Sequence, residues 1–261
     1  MGFLSDLVDR VRRDLERAPL DEAALLSRAV AMPPARDFVG GVRSSRPAVV
    51  AEVKRASPSA GPIAEGDPGA LAHAYEAGGA AAVSVLTEPL HFGGSLSDLR
   101  AVRLNCRLPV LRKDFLVHPA QVIESRAAGA DAVLLIAACL SASELEAMVA
   151  TAADLGLAAL VEAHSEADLD RALACGALAV GINARDLESL DVDEERALAL
   201  ARTVPPDRIV VFESGISRRE QVDRAVQAGA SAVLVGEALM RAADPGATIR
   251  ELRGVAVPVR P

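Results

Sequence analysis

The stretch A-G-G-A-A-A-V-S-V at residues 77–85 has three similar stretches further along the chain. They read A-A-G-A-D-A-V-L-L at 127–135, A-C-G-A-L-A-V-G-I at 174–182 and Q-A-G-A-S-A-V-L-V at 227–235. Each is a helix end, then a glycine, then a short apolar run. Glycine suits a helix C-terminus because the next residue often takes positive φ. The Val-rich run has the length of a buried strand.

The repeated glycines, at positions 79, 129, 176 and 229, lie 50, 47 and 53 residues apart. One strand and one helix are too short for these intervals, so each should contain a second strand. The additional strands are predicted at 48–53, 109–112, 158–161 and 208–212. Eight apolar runs that alternate with helical segments predict a parallel sheet. The weak internal repeat favours closure into a (β/α)8 TIM barrel, which is an α/β fold.

The segments between the predicted strands carry helix-start signals. Ser97, Ser141 and Ser217 stand at N-cap positions, the last two with a Glu three residues later. Pro119 and Pro245 fit first turns, where a missing N–H costs nothing.

Residues 1–45 precede the barrel. Apolar residues from Phe3 to Leu15 recur at helical spacing and predict an amphipathic helix, and a second helix is predicted over 21–31. The segment is too short to bury a core of its own. We therefore interpret it as a helical extension of a barrel over 46–261, so that 1–261 would form one domain.

Composition excludes several classes of protein. The net charge is −8, which argues against general nucleic-acid binding. No apolar run approaches the roughly 20 residues of a membrane span, and residues 1–20 lack the apolar core of a signal peptide. Cys106, Cys139 and Cys175 match no zinc or redox pattern. We expect a cytoplasmic protein with reduced thiols that binds neither nucleic acid nor membranes.

Polar residues end seven of the eight predicted strands, and active sites of this fold lie at that end of the barrel. The fourth predicted strand, within the repeat at 127–135, leads into Ala137 and Ala138 and offers nothing polar. The others supply Glu52 and Lys54; Thr87 and Glu88; Lys113 and Asp114; Glu162; Asn183 and Arg185; Glu213, Ser214 and Gly215; and Gly236 and Glu237.

Glu52 and Glu162 fall within apolar strands, where an unpaired carboxylate is costly. Lys54 and Lys113 are available to pair with them. The simpler interpretation is a buried ion-pair network without chemistry. Convergence of these residues on one rim favours an active site instead.

Two glycine-containing loops predict a phosphate site. Residues 214–217 follow the seventh strand, residues 236–239 follow the eighth, and each opens a helix. Backbone N–H groups in these loops bind phosphate in many barrels. Alternatively, both are ordinary turn glycines. His91 and His164 lie near the rim and could touch substrate, although the simpler interpretation gives the histidines no catalytic or metal-binding role.

Several of these motifs resemble the indole-3-glycerol phosphate synthase family. The most specific are E-V-K-R-A-S-P-S at 52–59 and L-R-K-D-F at 111–115. The others, in the family's order, are L-T-E and F-G-G-S within 86–95, L-V-E-A-H at 160–164, G-I-N-A-R-D-L at 181–187, E-S-G-I at 213–216 and V-L-V-G-E-A-L at 233–239.

The resemblance implies a decarboxylating lyase of tryptophan biosynthesis. It would convert 1-(2-carboxyphenylamino)-1-deoxyribulose 5-phosphate to indole-3-glycerol phosphate, CO2 and water. It implies no metal and no organic cofactor. The partner would be the phosphorylated small-molecule substrate. We expect a monomer, with association with other tryptophan-pathway enzymes left open.

The resemblance also implies residue roles. Lys113 would be the general acid at the substrate carbonyl, Glu162 a second acid, Glu52 a base or stabiliser of the cationic intermediate, and Lys54 a holder of a substrate anion. The division of acid and base steps among these four stays open. The substrate-binding residues would be the polar Asn183, Arg185, Glu213 and Ser214, the phosphate-binding Ser57, Gly215 and Gly236, and the apolar Phe92 and Phe115.

Two positions depart from the family pattern. Many relatives carry Lys where this chain has Ala60, which removes one charge from the first loop. Some carry Ser in place of Glu237, whose carboxylate must then point away from phosphate. Neither departure touches the four residues of the chemistry.

Two other interpretations were considered. One is a phosphoribosyl isomerase barrel, which shares the phosphate loops but commonly uses an Asp or Cys pair at the first and fifth strands, where this chain has Glu52, Lys54 and Glu162. The other is an inactive barrel kept as a binding partner, which would usually have lost catalytic residues.

Overall fold

The computed structural model describes residues 2–255, and its centre is a closed barrel of eight parallel strands, which confirms the predicted fold class. Residue 1 and residues 256–261 of the predicted domain lie outside the described part. The strands are β1 (Ala48–Val53), β2 (Ala56–Ser57), β3 (Gly61–Pro62), β4 (Ala82–Leu86), β5 (Val110–Lys113), β6 (Ala132–Ile136), β7 (Ala158–Ala163), β8 (Ala179–Asn183), β9 (Ile209–Glu213) and β10 (Ala232–Val235). The barrel runs β1-β4-β5-β6-β7-β8-β9-β10 and closes on β1, while β2 and β3 form a hairpin in the loop after β1.

Helices surround this barrel. They are α1 (Phe3–Arg17), α2 (Glu22–Ala31), α3 (Phe38–Arg43), α4 (Pro68–Gly78), α5 (Leu96–Asn105), α6 (Pro119–Ala128), α7 (Ala142–Asp154), α8 (Glu166–Ala174), α9 (Glu194–Ala201), α10 (Arg219–Gln227), α11 (Glu237–Met240) and α12 (Pro245–Arg253). Between residues 2 and 255, none of them has the length and apolarity that a bilayer crossing requires.

The four repeated glycines take the conformation that the sequence predicts. Gly79, Gly129, Gly176 and Gly229 have φ values of 85°, 101°, 79° and 104°. Residues with a Cβ rarely adopt this region. The repeat is therefore a recurring turn between an outer helix and the next inner strand.

Two of the predicted helix starts were wrong. Ser95, not Ser97, caps α5 by accepting the backbone N–H of Asp98. At α10 the side chain of Gln221 accepts the N–H groups of Ser217 and Arg218, so Ser217 lies outside the helix. The Ser141 cap and the first-turn prolines at 119 and 245 are confirmed.

The barrel interior is apolar in its middle layer and charged towards the carboxyl ends of the strands. Val50, Leu111, Leu160 and Val211 point inward from four strands and belong to one buried apolar cluster. Two residues further along the same strands stand Glu52, Lys113, Glu162 and Glu213. Strand side chains repeat their direction every second residue, so these four also point inward. The charged layer thus rests on an apolar floor.

The N-terminal segment shares the barrel's core. Leu4 and Leu7 of α1 and Phe38 and Val42 of α3 belong to the same apolar cluster as the inner strand residues. The sequence did not predict α3, because two consecutive glycines weaken the helical signal. One of them, Gly41, lies so close to the chain before β4 that a Cβ there would be 3.1 Å from the Ala81 carbonyl oxygen.

A buried carboxylate, Asp131, binds this segment, helix α5 and the sheet at one point, and its contacts give a stability prediction. Asp131, fully buried before β6, accepts two bonds from Arg103 (2.8 and 2.6 Å) and the backbone N–H groups of Arg36 and Val110. Asp131→Ala leaves the Arg103 charge buried and unpaired, which should lower the free energy of unfolding by about 3–5 kcal/mol.

Urea unfolding followed by circular dichroism measures this loss. The matched control is Asp170→Ala on the exposed face of α8, which should change stability by less than about 0.5 kcal/mol. Equal effects at the two positions would contradict the role given to Asp131.

Candidate active site

A cavity of about 460 Å3 opens at the carboxyl ends of the barrel strands. Every residue that the family resemblance implies as catalytic or substrate-binding lines it. These residues are Glu52, Lys54, Ser57, Phe92, Lys113, Phe115, Glu162, Asn183, Arg185, Glu213, Ser214, Gly215 and Gly236.

Lys113 lies at the centre of a buried charge cluster. Its Nζ is 3.1 Å from Glu162 Oε2, to which it donates a hydrogen bond, and 3.1 Å from Glu213 Oε2. The two carboxylates are 1% exposed and the lysine side chain 15%. Because β5, β7 and β9 present these residues from different sides of the barrel, the lysine lies between two acids.

This arrangement separates the pKa values of the two acids. Burial and the charge of Glu162 raise the pKa of Glu213 to about 8, although Lys113 opposes the shift. Burial alone would raise the pKa of Glu162, but Lys113, His164 and Asn183 together lower it below its ordinary value. One carboxylate is therefore held protonated and the other ionised near neutral pH.

The pKa of Lys113 moves in the opposite direction to that of a typical buried lysine. Burial lowers it, but Glu162, Glu213 and Glu52 outweigh burial and raise it above its ordinary value. Lys113 is therefore a charged proton donor whose ammonium is largely shielded from solvent.

A second ion pair stands beside the first. Lys54 Nζ is 3.2 Å from Glu52 Oε1, and Ser84 Oγ donates to Glu52 Oε2 at 3.3 Å. The predicted pairing of both strand carboxylates by lysine is thus confirmed. Gly236 gives Glu52 its space, since a Cβ there would lie 2.5 Å from Glu52 Oε1.

Asn183 connects the acid cluster to the loop after β9. Its Nδ2 donates to Glu162 Oε1 at 3.1 Å, and its Oδ1 accepts from Ser214 Oγ at 2.8 Å. Two residues earlier on β8, Gly181 faces Glu213, and a Cβ there would lie 2.4 Å from Glu213 Oε1. The sequence did not predict this role of Gly181, because it depends on contact with a neighbouring strand.

One wall of the cavity is apolar. The rings of Phe92 and Phe115 lie 6.1 Å apart at 39°. Buried Glu88 shapes the loop that carries Phe92, because it accepts the backbone N–H groups of His91 (2.7 Å) and Phe92 (3.2 Å). Arg10 of α1 binds the same carboxylate at 2.7 Å.

Helix α1 also reaches the cavity directly. Phe3 lines it and packs edge-on against His91, with ring centroids 5.0 Å apart. Ser5 Oγ donates to Glu188, in the loop after β8, at 2.7 Å. The sequence placed Phe3 only on an apolar helix face, and nothing in its spacing indicated the site.

The two rim histidines lie behind the cavity wall. His91 contacts Glu88 and Phe3, and His164 Nε2 is 3.2 Å from Glu162 Oε1. Neither is among the lining residues.

Glu237, where some relatives have Ser, lies in the loop after β10. Its carboxylate pairs with Arg241 Nε at 3.0 Å, so its negative charge is neutralised by the arginine.

The lysine content of the chain is informative. Of the 28 lysine and arginine residues, two are lysines, Lys54 and Lys113, and both line this cavity. Arginine stays protonated in proteins, whereas lysine can transfer its proton. Counting lysines separately from arginines would have indicated the site from sequence.

The sequence matches one protein family over nearly its whole length. The model of the family described as indole-3-glycerol phosphate synthase matches residues 4–252. An indole-3-glycerol phosphate synthase of a Nocardioides species is 50% identical over 98% of this chain and 99% of its own length. One of Micrococcus luteus is 48% identical over the whole of both chains.

Solved structures support the fold. A 3-hexulose-6-phosphate synthase superposes with a TM-score of 0.63 over 80% of this chain and 100% of its own, at 20% identity. A thiamine phosphate pyrophosphorylase from Pyrococcus furiosus gives a TM-score of 0.59 at 18% identity, over 80% of this chain and 94% of its own. At such identities the likeness concerns the barrel alone. Family match and close relatives, by contrast, extend over nearly the whole chain, and the chain belongs to the indole-3-glycerol phosphate synthase family.

Proposed function

We propose that this chain converts 1-(2-carboxyphenylamino)-1-deoxyribulose 5-phosphate to indole-3-glycerol phosphate, CO2 and water in this cavity. The observation that carries the proposal is the position of Lys113, a charged donor 3.1 Å from two buried carboxylates and beside an aromatic wall. Such a site can protonate a carbonyl oxygen while an aromatic carbon attacks the carbonyl carbon.

The first step is ring closure. The substrate ring would lie against Phe92 and Phe115, which favour a flat apolar group. As the ring carbon that bears the carboxylate attacks the ketone, Lys113 gives its proton to the carbonyl oxygen. The new hydroxyl and the cationic ring form together, and Glu52 lies near enough to Lys113 to stabilise that positive charge.

The second step is loss of CO2, which returns the electron pair of the broken bond to the ring. Lys54, the other charged lysine of the cavity, would hold a substrate anion.

The third step is dehydration. Glu162, protonated during the cycle, donates to the leaving hydroxyl, and the neutral Lys113 amine takes a proton from the neighbouring ring carbon, which restores its ammonium. Asn183 orients Glu162 through its 3.1 Å hydrogen bond.

The phosphate group would bind at the other end of the cavity. Gly215 and Gly236 line it in the loops after β9 and β10, and Ser57 lines it in the loop after β1. Backbone N–H groups and a hydroxyl are suitable donors for a phosphate. Arg185 and Ser214 would contact the sugar hydroxyls or the ring from the β8 and β9 sides.

We also propose that residues 1–261 form one domain and that the protein is a monomer in the cytoplasm. The observation that supports a single domain is that α1 contributes Phe3 to the cavity and shares the barrel core. Analytical ultracentrifugation of the full chain tests the monomer, and pull-down with other tryptophan-pathway enzymes tests any association.

Replacement of the central lysine tests its role as a general acid. Lys113→Ala and Lys113→Arg should both lower kcat by about 10²-fold or more, because neither side chain can give a proton to the carbonyl. The assay follows indole-3-glycerol phosphate fluorescence in a buffer that contains EDTA. Binding of a reduced, unreactive substrate analogue and the thermal midpoint serve as controls. An arginine variant within tenfold of wild type would exclude Lys113 as the proton donor.

The protonation of Lys113 can be followed directly because the chain has two lysines. In protein labelled with 15N at the lysine side chains, the Lys113 signal should remain that of an ammonium at pH values where an ordinary lysine, with a pKa of about 10.4, titrates. The raised pKa comes from Glu162, Glu213 and Glu52. Glu162→Gln should shift the titration downward and assigns the signal. Titration of Lys113 below the ordinary value in wild type would contradict the proposed cluster.

Gly181→Ala tests the position of Glu213. The new Cβ would displace the Glu213 carboxylate, which is the flexible end of a side chain, so activity should fall about tenfold or more while stability changes little. In the Glu213→Ala background the same substitution should cost nothing further. Additive losses in the double variant would show that Gly181 acts by another route.

A further inference from the structure

His164 occupies a position that the steps above leave unexplained. It follows β7, and its buried Nε2 lies 3.2 Å from Glu162 Oε1, a close ion-pair contact whose angle falls short of a hydrogen bond. Glu162 is 1% exposed and His164 is 11% exposed, so the imidazole lies between the buried acid and solvent. The ring contacts Glu162 from outside the substrate cavity.

The proposed reaction needs a proton from outside. The substrate carboxylate is ionised near neutral pH and leaves as neutral CO2. Ring closure and dehydration each consume a proton, and rearomatisation returns one. Each turnover therefore takes up one proton from water, and this proton must reach the buried Glu162 while substrate occupies the cavity.

The charge cluster indicates when that proton enters. Lys113 holds the pKa of Glu162 below its ordinary value, against the effect of burial. When Lys113 gives its proton to the carbonyl, this attraction disappears and burial then favours the protonated carboxyl. Glu162 thus becomes a proton acceptor between ring closure and dehydration, when it must become an acid.

The groups around His164 provide a route outward. On α8, Asp168 accepts the His164 backbone N–H at 3.1 Å, and on α9 Arg196 donates to the His164 carbonyl, so both fix the backbone. In the loop after β8, exposed Asp186 lies near enough for His164 to help hold its pKa below the ordinary value, after the larger effect of backbone N–H donors. An exposed carboxylate is thus within electrostatic range of the imidazole.

We propose that His164 is a positioning and proton-relay residue for Glu162. Protonated at both ring nitrogens, it gives the Nε2 proton to Glu162 Oε1 after Lys113 has discharged. Glu162 passes a proton to the leaving hydroxyl, which departs as water. The neutral imidazole then takes a proton from water at its exposed edge. Imidazole suits this task because it has two ring nitrogens, one of which can give a proton while the other accepts one.

The test compares variants that separate the relay from the contact. His164→Gln keeps a hydrogen-bond donor near Nε2 but cannot carry a proton, and His164→Ala leaves space for added imidazole. His73→Gln, on the exposed face of α4, is the matched control. The kcat and KM of each are measured from pH 6 to 9, with thermal midpoints and binding of the reduced substrate analogue as checks of the fold.

We expect His164→Gln to lower kcat about tenfold or more with KM within twofold, and His73→Gln to change neither. Added imidazole should restore His164→Ala in proportion to its protonated form. Full activity of His164→Gln would overturn the relay, and so would a His164→Ala variant that imidazole does not restore. The inference rests on the proposed function: wild-type protein without product overturns both, whereas an active wild type with an equally active His164→Gln overturns the relay alone.

Discussion

The site depends on the confinement of two ammonium groups and three carboxylates at the carboxyl ends of the barrel strands, above an apolar layer. Charges so shielded from water interact strongly, and an unpaired one is costly. Glu52 has Lys54 as its own partner, whereas Glu162 and Glu213 share Lys113, so these two hold protons unequally: Glu213 tends to keep one and Glu162 to lose one. When Lys113 loses its charge, the proton affinity of the neighbouring carboxylates therefore changes.

The use of lysine follows from the same constraint. Elsewhere the chain uses arginine for its positive charges, including the half-buried Arg103 and the buried Arg112, whose planar guanidinium groups bind several acceptors at once. Arginine is the better residue for holding a carboxylate, but it does not give up its proton. Lysine at 54 and 113 therefore indicates positions where a proton, rather than only a charge, is required. A buried ion-pair network that had no catalytic role would not require lysine rather than arginine at these two positions.

Much of this could be predicted from sequence, for an identifiable reason. The glycine turns and the short apolar strands are local signals, and they predicted eight strands, four of them with bounds within two residues of those observed. The thirteen site residues stand at strand ends or in the loops that follow, where the fold brings them to one rim. Contacts between distant segments could not be predicted in this way. Gly181 leaves room for the Glu213 carboxylate of the next strand. Phe3 lines the cavity although it lies far from the other lining residues in the sequence. Helix α3 forms because the barrel covers Phe38 and Val42.

Helix α1 shows how far the barrel depends on what precedes it. Arg10 binds Glu88, the carboxylate that shapes the loop of Phe92, and Ser5 binds Glu188 across the cavity mouth. Burial opposes the charge of Glu88, but backbone N–H groups and Arg10 hold its pKa below the ordinary value, so the carboxylate stays ionised and keeps its donors. The aromatic wall is therefore set partly by a helix outside the (β/α)8 repeat. An eightfold barrel supplies the polar rim, and its added helix completes the apolar surface that a flat substrate ring requires.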